Sequence, residues 1–303
     1  MAVKSGAKKP IAKKPEKVAS GWDFSHLLPP KLSPSRMSDY QQCPKLFYYK
    51  TILGLSTPAT FATCKGTLAH YAFEKVFDHP RQERTVEKAL PYVREHWEEI
   101  KDSKDYEPLI EKGPEAIEEM LVESENLVKK WFLVENPTNF DPEERELYVR
   151  AQMAGIEFHG YIDRLDKITD KAGNVRWIIS DYKTGKPQKE PYLEKAFFAM
   201  NVYALLLNKM QGVEVSKLRL IYVQNGKKDD VVGQLVDEKT LKKTERKLQR
   251  IWRGIEQNAK SGSFRAEKGP LCMWCHFKSE CPVWAEELVN MPILNKNGEP
   301  YPR

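Results

Sequence analysis

The chain has 303 residues, of which 41% are hydrophobic and 30% charged, and its formal net charge is +6. This length and composition allow one large domain or two smaller ones with a well-solvated surface. The longest largely apolar run, AFFAMNVYALLL, is too short to cross a bilayer, which excludes a membrane-spanning chain. The Lys- and Pro-rich beginning lacks the apolar segment of a secretory signal. We therefore expect a soluble cytoplasmic protein.

The basic charge is concentrated at the beginning of the chain. Residues 1–20 contain six lysines and one glutamate, which leaves 43 basic and 42 acidic residues in the remainder. Low hydrophobicity combined with Lys, Pro, Ala and Ser predicts that residues 1–28 form a disordered basic tail. Such a tail could contact nucleic acid through its charge, or it could be a solubilising or cloning-related end.

Capping signals and hydrophobic periodicity predict the elements that follow in chain order. Helices are predicted at 33–55, at 65–77, several times within 83–135, at 191–210 and at 239–256. Strands are predicted at 146–153, 156–168, 175–184, 217–225 and 230–236. This order indicates an α/β fold with a mixed sheet flanked by helices. We expect a single domain over 29–290, with a mainly helical insertion at 81–140, a cysteine-rich segment at 264–285 and a tail at 291–303.

Two carboxylates and a lysine are predicted to converge at one end of a hairpin. The turn-rich segment TDKAGN separates two strands, and Asp163 and Asp181 lie equally far from its centre near Ala172, so they face each other. Lys183 points to the same side of its strand as Asp181. Two close carboxylates repel unless a cation lies between them, and Mg²⁺ suits such a site. Lys183 could then orient a metal-bound water or neutralise charge on a phosphate, whereas the alternative is a surface hairpin with an ordinary ion pair.

These residues also carry a resemblance to a known family. GYIDRLD followed by DYKTG resembles the core of the PD-(D/E)XK nucleases, and in particular the RecB-like branch that includes the four-cysteine CRISPR-associated exonucleases and phage exonucleases. SPSRMSDYQQCPKLFYYK, GTLAHYAFEKVF and CMWCHFKSECP are similar to the family's opening helix, histidine helix and closing cysteines. The resemblance covers most of residues 32–285 and implies a restriction-endonuclease-like fold.

The resemblance implies a role for each residue of the predicted hairpin site. Asp163 and Asp181 resemble the metal-binding acids, Lys183 resembles the catalytic lysine, and the backbone carbonyl of Tyr182 would be a further metal ligand. His70 resembles the family histidine that ligates a metal, although by its sequence pattern alone it is also compatible with a packed histidine on an amphipathic helix. The implied cofactor is Mg²⁺ or Mn²⁺.

Two further features could contact the substrate. The helix after the lysine carries a QxxxY motif in the family, and here Tyr203 is present but Ala199 occupies the Gln position, so the resemblance does not extend to that Gln contact. Tyr203 would contact DNA, or it could equally belong to the core. The basic helix at 239–256 could contact DNA as well, although a solvated face is the usual meaning of such charge.

The cysteines form a second constellation. Cys272, Cys275 and Cys281 are clustered, and Cys43 lies far before them. In a cytoplasmic protein, four thiolates suit zinc or an iron–sulfur cluster, and His276 leaves a Cys₃His zinc site open. The resemblance implies a [4Fe–4S] cluster that staples the two termini of the fold together. We expect Cys64 to be a buried small hydrophobe.

The function indicated by these features is a metal-dependent DNA exonuclease that acts on DNA ends or single strands in recombination, repair or phage DNA metabolism. Three alternatives remain: an end-processing endonuclease, an RNA-processing nuclease, and a non-catalytic DNA-binding subunit of a helicase–nuclease complex. The expected partners are DNA and a helicase or recombination protein, without a membrane.

Overall fold

The computed structural model describes residues 27–169, 171–189 and 192–284. Nearly all of the predicted basic tail at 1–28 and the whole predicted tail at 291–303 lie outside these residues, as does the last residue of the predicted cysteine-rich segment. Within the described part of the chain, no helix is long and apolar enough to cross a membrane.

Within these described residues, six strands form one sheet in the order β1–β3–β4–β5–β6, with β2 paired to β3. The strands are Lys31–Leu32 (β1), Glu144–Met153 (β2), Ile156–Thr169 (β3), Val175–Lys183 (β4), Val215–Tyr222 (β5) and Val231–Leu235 (β6). β1 runs parallel to β3 and β4 parallel to β5, whereas the other neighbours are antiparallel. The predicted mixed sheet is therefore confirmed. Strand β1 was not predicted, because a strand of two residues is too short to give a recognisable sequence pattern.

Helices cover both faces of the sheet. They are Pro34–Gln42 (α1), Pro44–Phe47 (α2), Phe61–Lys75 (α3), Val86–Ala89 (α4), Pro91–Ile100 (α5), Glu107–Ile110 (α6), Pro114–Val134 (α7), Tyr192–Gln211 (α8) and Glu238–Lys260 (α9). One buried cluster joins α1, α2, α8 and α9 to the sheet, and a second joins α3 to α7 and the edge of the sheet near Tyr182. The helices predicted within 83–135 thus pack together with α3 on one side of the molecule.

The helix predicted at 33–55 is broken at Cys43. The backbone of Cys43 is extended, with φ of −166° and ψ of 117°, and the chain resumes as α2 and a π-helical turn, Tyr48–Ile52. Pro44 explains the break, because a proline disfavours helical geometry in the residue before it. The prediction of one continuous helix was wrong, and the break places the thiol of Cys43 at a corner of the chain.

Helix α3 begins four residues before its predicted start. Thr60 and Thr63 form a reciprocal capping box that satisfies backbone N–H groups at the helix beginning. The buried face of α3 includes Leu68, Ala72 and Phe73. His70 lies between these buried positions and remains partly exposed, so its ring is available at the edge of the sheet.

Candidate active site

The predicted hairpin forms with the expected register. β3 and β4 pair so that Arg164 faces Ser180 and Leu165 faces Ile179, which centres the hairpin on Ala172. Asp163 and Asp181 occupy the next facing position, where the ladder ends. Oδ2 of Asp163 accepts a hydrogen bond of 2.9 Å from the backbone N–H of Tyr182 on the opposite strand. The two carboxylates are thereby brought to the same edge of the sheet, and the register prediction is confirmed.

β2 and β3 both change face at the level of Asp163. Ile162 and Leu165 pack in the same core cluster although a regular strand would put residues three apart on opposite faces. No ladder pair joins Glu146 to Asp163, while the rungs on either side are regular. Glu146 has φ of 45°, a left-handed value that is costly for a residue other than glycine. The register is the same on both sides of this position, so the irregularity, called the slip below, changes the face of both strands without shifting their pairing. It turns two acids away from the core and toward α3.

Three side chains meet at the slip and could hold a metal ion. Nδ1 of His70 lies 3.4 Å from Oδ2 of Asp163. The candidate ligand atoms of His70, Glu146 and Asp163 all lie within 4.8 Å of one another. Glu146 is the member that sequence reasoning missed, because it stands at the beginning of a predicted strand and nothing in the sequence marks the change of face.

The electrostatics of this group favour a bound cation. Burial, and then the carboxylate of Asp181, raise the pKa of Asp163 to about 6. Burial, followed by the charges of Asp163 and Glu74, raises the pKa of Glu146 to about 7. The carboxylates therefore repel one another in a buried environment, and a bound divalent cation would offset this repulsion.

Lys183 is held as a cation beside these acids. Its Nζ lies 2.6 Å from Oδ2 of Asp181. Burial by itself would lower the pKa of Lys183, but the carboxylates of Asp181 and Asp163 outweigh burial and raise it. Lys183 is therefore suited to stabilise negative charge and unsuited to accept a proton at neutral pH.

A buried ionic network lies directly behind the acids. The guanidinium of Arg164, whose side chain is 2% exposed, lies 2.9 Å from Glu135 and 3.1 Å from Asp166. The same guanidinium donates a hydrogen bond to the hydroxyl of Tyr182. Because Arg164 follows Asp163 and Tyr182 follows Asp181, this bond ties together the two strands that present the acids.

Tyr203 lies close to the site but is largely buried. Its ring packs against Gly160, where an added Cβ would come within 2.3 Å of a ring carbon. Burial and then the charges of Asp181 and Asp163 raise the pKa of its hydroxyl. The structure thus places Tyr203 beside the acids, and its contact with DNA stays a prediction.

The cysteines predicted to act together line one cavity of about 220 Å³ between α1, α2 and the C-terminal segment: Cys43, Cys272, Cys275 and Cys281. The backbone N–H of Glu267 donates to the sulfur of Cys43 at 3.3 Å, and that of Lys45 donates to the carbonyl of Arg265 at 3.2 Å. Among the described residues, no three of these sulfurs lie within 4.8 Å of one another.

His276 and Cys64, which were also considered with the cysteines, lie outside this cavity. His276 lines a separate groove next to Cys275 and does not line the cavity of the four cysteines. Cys64 is 1% exposed, and burial raises the pKa of its thiol to about 11, so it is the buried small residue that was expected.

Two lysines of the basic helix α9 contact other side chains of the protein. Nζ of Lys242 lies 2.5 Å from Glu238 in the same helix, and Nζ of Lys247 lies 4.0 Å from the ring centroid of Phe198 on α8. These cations are partly engaged within the protein, and the contact of this helix with DNA stays a prediction.

Comparison with known proteins identifies a matching family and solved structures with a similar fold. The model of the PD-(D/E)XK nuclease superfamily matches residues 31–282. No curated protein matches the chain in sequence. A solved structure from Eubacterium rectale, named "Putative exonuclease", is similar with a TM-score of 0.51 at 12% identity, over 86% of this chain and 92% of that one. The solved structure of SSO0001 is similar with a TM-score of 0.39 at 14% identity, over 84% and 86% of the two chains.

Proposed function

The chain belongs to the PD-(D/E)XK nuclease superfamily, and on this premise we propose that it is a metal-dependent DNA exonuclease acting on DNA ends or single strands. The observation that carries the proposal is that His70, Glu146 and Asp163 meet at the slip between β2 and β3, beside the pair of Asp181 and Lys183 at the end of β4. The solved structure named as an exonuclease shares the fold over most of both chains and is compatible with this activity.

The residues at the slip fit a divalent metal. Carboxylates are the preferred ligands of Mg²⁺ and Mn²⁺, and Mn²⁺ accepts a neighbouring imidazole more readily than the harder Mg²⁺ does. His70, Glu146 and Asp163 would hold the ion, with Asp181 and the carbonyl of Tyr182 as the ligands that the family resemblance implies. When bound, such an ion supplies a Lewis acid and lowers the pKa of a coordinated water.

The protein's own residues have distinct tasks in this proposal. Asp181 fixes the ammonium of Lys183 at 2.6 Å. The raised pKa of Lys183 keeps this ammonium positive, so that it neutralises charge developing on a phosphate. The hydrogen bond from the N–H of Tyr182 orients the carboxylate of Asp163. The presence of this complete set favours an active enzyme over a non-catalytic DNA-binding subunit.

Digestion of end-labelled nucleic acids tests the activity. We expect release of short products from linear single- or double-stranded DNA with Mn²⁺ or Mg²⁺, and no cleavage of circular DNA. Cleavage of circles would establish the endonuclease alternative, and preference for RNA would establish the RNA-processing one. No cleavage of any substrate with either metal would contradict the proposal and favour the non-catalytic subunit.

We also propose that the four cysteines of the cavity hold a [4Fe–4S] cluster. A tetrahedral zinc ion with Zn–S bonds of about 2.3 Å brings its sulfurs to about 3.8 Å from one another. The sulfurs here line a cavity of about 220 Å³, and in every group of three at least one sulfur–sulfur distance exceeds 4.8 Å, which is compatible with a larger guest. The cluster would tie the corner at Cys43 to the C-terminal segment, and its binding energy would become folding energy.

The biological setting rests on the resemblance of the sequence motifs alone. On the basis of this resemblance, the proposed setting is DNA recombination, repair or phage DNA metabolism in the cytoplasm, with a helicase or recombination protein as a partner.

A further inference from the structure

The candidate metal group opens into a groove of about 780 Å³. One side of the groove is a face of α3 with small residues at Ala62, Thr63, Gly66 and Thr67. His70, Glu146 and Asp163 line it at the metal group, and α5 contributes His96. The groove therefore joins the site to the helices that precede β2, and the small side chains of α3 leave room for a flat group.

Two aromatic rings in this groove are stacked face to face. The ring centroids of Tyr71 and His96 are 4.0 Å apart, and the planes differ by 4°. Tyr71 follows His70 directly on α3. Nδ1 of His96 lies 2.8 Å from Oε2 of Glu99, which fixes the orientation of the imidazole. A pre-ordered aromatic pair thus stands next to the candidate metal ligands, with Nζ of Lys75 5.5 Å from the ring centroid of Tyr71, and a base that stacks on this ring would have to displace that ammonium.

The described residues that line the groove offer a nucleotide acids and an aromatic pair, and no cations. Among the described residues that line the groove, none is a lysine or an arginine, whereas Glu74, Glu146 and Asp163 are acids. The fixed cations lie beside these walls, on Lys183 next to Thr184 and on Lys75 over the ring of Tyr71. Aromatic side chains instead bind nucleobases through stacking, which does not depend on the sequence of the bases.

We propose that Tyr71 and His96 form a stacking surface for the base of an unpaired nucleotide next to the cleaved phosphate. This rests on the proposed nuclease function and narrows its substrate, since a base within a duplex already has stacking partners on both faces and cannot reach the pair. The substrate would accordingly be an unpaired end, and a blunt duplex end would have to open before cleavage.

A single-stranded oligonucleotide with one abasic site, moved along the strand, tests the proposal. In the wild-type protein, one abasic position should weaken binding and kcat/KM about tenfold relative to the intact strand. Tyr71→Ala should weaken both for the intact strand to a similar extent and should no longer distinguish the abasic strand at that position. Tyr71→Phe keeps the ring and should behave as the wild type, and His96→Ala should follow Tyr71→Ala.

Tyr92→Ala is the matched control. Tyr92 touches the ring of Tyr71 edge-on at a centroid distance of 6.3 Å and does not line the groove. Its removal disturbs the packing of α3 and α5 without removing the stacking surface, so discrimination against the abasic strand should remain. Loss of discrimination in Tyr92→Ala equal to that in Tyr71→Ala would show a packing effect and overturn the proposal.

Binding measured by fluorescence anisotropy with Ca²⁺ separates this proposal from the proposed function, because binding is read without cleavage. Cleavage by a Tyr71→Ala protein that still discriminates against the abasic strand would overturn the stacking surface and leave the nuclease function standing. Tight binding with abasic discrimination but no cleavage with Mn²⁺ would contradict the nuclease function and support the stacking surface. Equal binding of intact and abasic strands by the wild type would overturn the stacking surface whatever the cleavage result.

Discussion

Replacing Asp163 by asparagine should stabilise the metal-free protein at neutral pH, although it removes a candidate metal ligand. Burial and the charge of Asp181 raise the pKa of Asp163 from an ordinary 3.8 to about 6. An acid whose pKa is higher in the fold than in the unfolded chain holds its proton more tightly in the fold. Its contribution to stability is therefore present below about pH 4 and lost as the pH rises toward about 6.

The size of the effect follows from the shift. At about 1.4 kcal/mol per pKa unit, the change from 3.8 to about 6 corresponds to at most about 3 kcal/mol of unfolding free energy. Because Asp163 and Asp181 titrate together, we expect about 1–3 kcal/mol for Asp163→Asn. The amide oxygen of asparagine can still accept the hydrogen bond from the N–H of Tyr182, so this contact should survive the substitution.

The assay is urea unfolding of anaerobically prepared protein with EDTA, at about pH 4.5 and about pH 7.5. The variant should be more stable than the wild type at the higher pH, and the difference should shrink at the lower one. Saturating Mn²⁺ should reverse the order, because an ion at about 100 times its Kd stabilises the wild type by about 2.7 kcal/mol.

Asp166→Asn is the matched control, with the opposite expected sign. Asp166 lies on the same strand, but its carboxylate is 3.1 Å from Arg164 and 2.6 Å from Arg219. Its neutralisation leaves buried arginine charge less compensated and should destabilise the protein by about 2 kcal/mol or more. A metal-free Asp163→Asn protein that is less stable than the wild type at neutral pH would refute the account of repelling acids.

Three further outcomes check the remaining assignments. Lys183→Ala should reduce cleavage about a hundredfold or more in a protein that still folds, while Lys167→Ala on the same hairpin should cleave normally; wild-type rates for Lys183→Ala would remove the lysine from the mechanism. Glu146→Gln should weaken Mn²⁺ binding about tenfold or more by calorimetry, and an unchanged affinity would exclude Glu146 as a ligand. Cys43→Ala should lose brown colour, bound iron and several degrees of thermal stability whereas Cys64→Ala keeps its iron, and about one zinc without iron in anaerobic wild-type protein would replace the cluster by a zinc site.

Local turn chemistry made the centre of the site predictable. The TDKAGN segment fixes the register of the hairpin, and the register alone brings Asp163 opposite Asp181. The order of helices and strands was equally readable, because each has its own hydrophobic period. Predictions failed where a single residue overrides that period, as at Cys43, where the following proline ends a helix that the pattern alone would continue.

The parts that the sequence could not predict depend on contacts between distant elements. Glu146 joins the site only because β2 and β3 change face together, and the pattern of either strand by itself shows no such slip. Tyr71 and His96 meet because α3 packs on α5, and neither residue belongs to a motif. Burial and charge at these places result from tertiary packing, which local pattern does not encode.

The strain at the acids and the network behind them are two parts of one arrangement. The left-handed Glu146 and the repelling carboxylates both oppose folding in the absence of a metal. One residue further along β3, Arg164 bonds Glu135 at the C-cap of α7, Asp166 of its own strand and Tyr182 of β4. Since breaking a buried ion network of this kind is costly, the network can hold the strands in a geometry that the acids alone would not keep. The site is thus pre-ordered for a cation by charges that lie outside it.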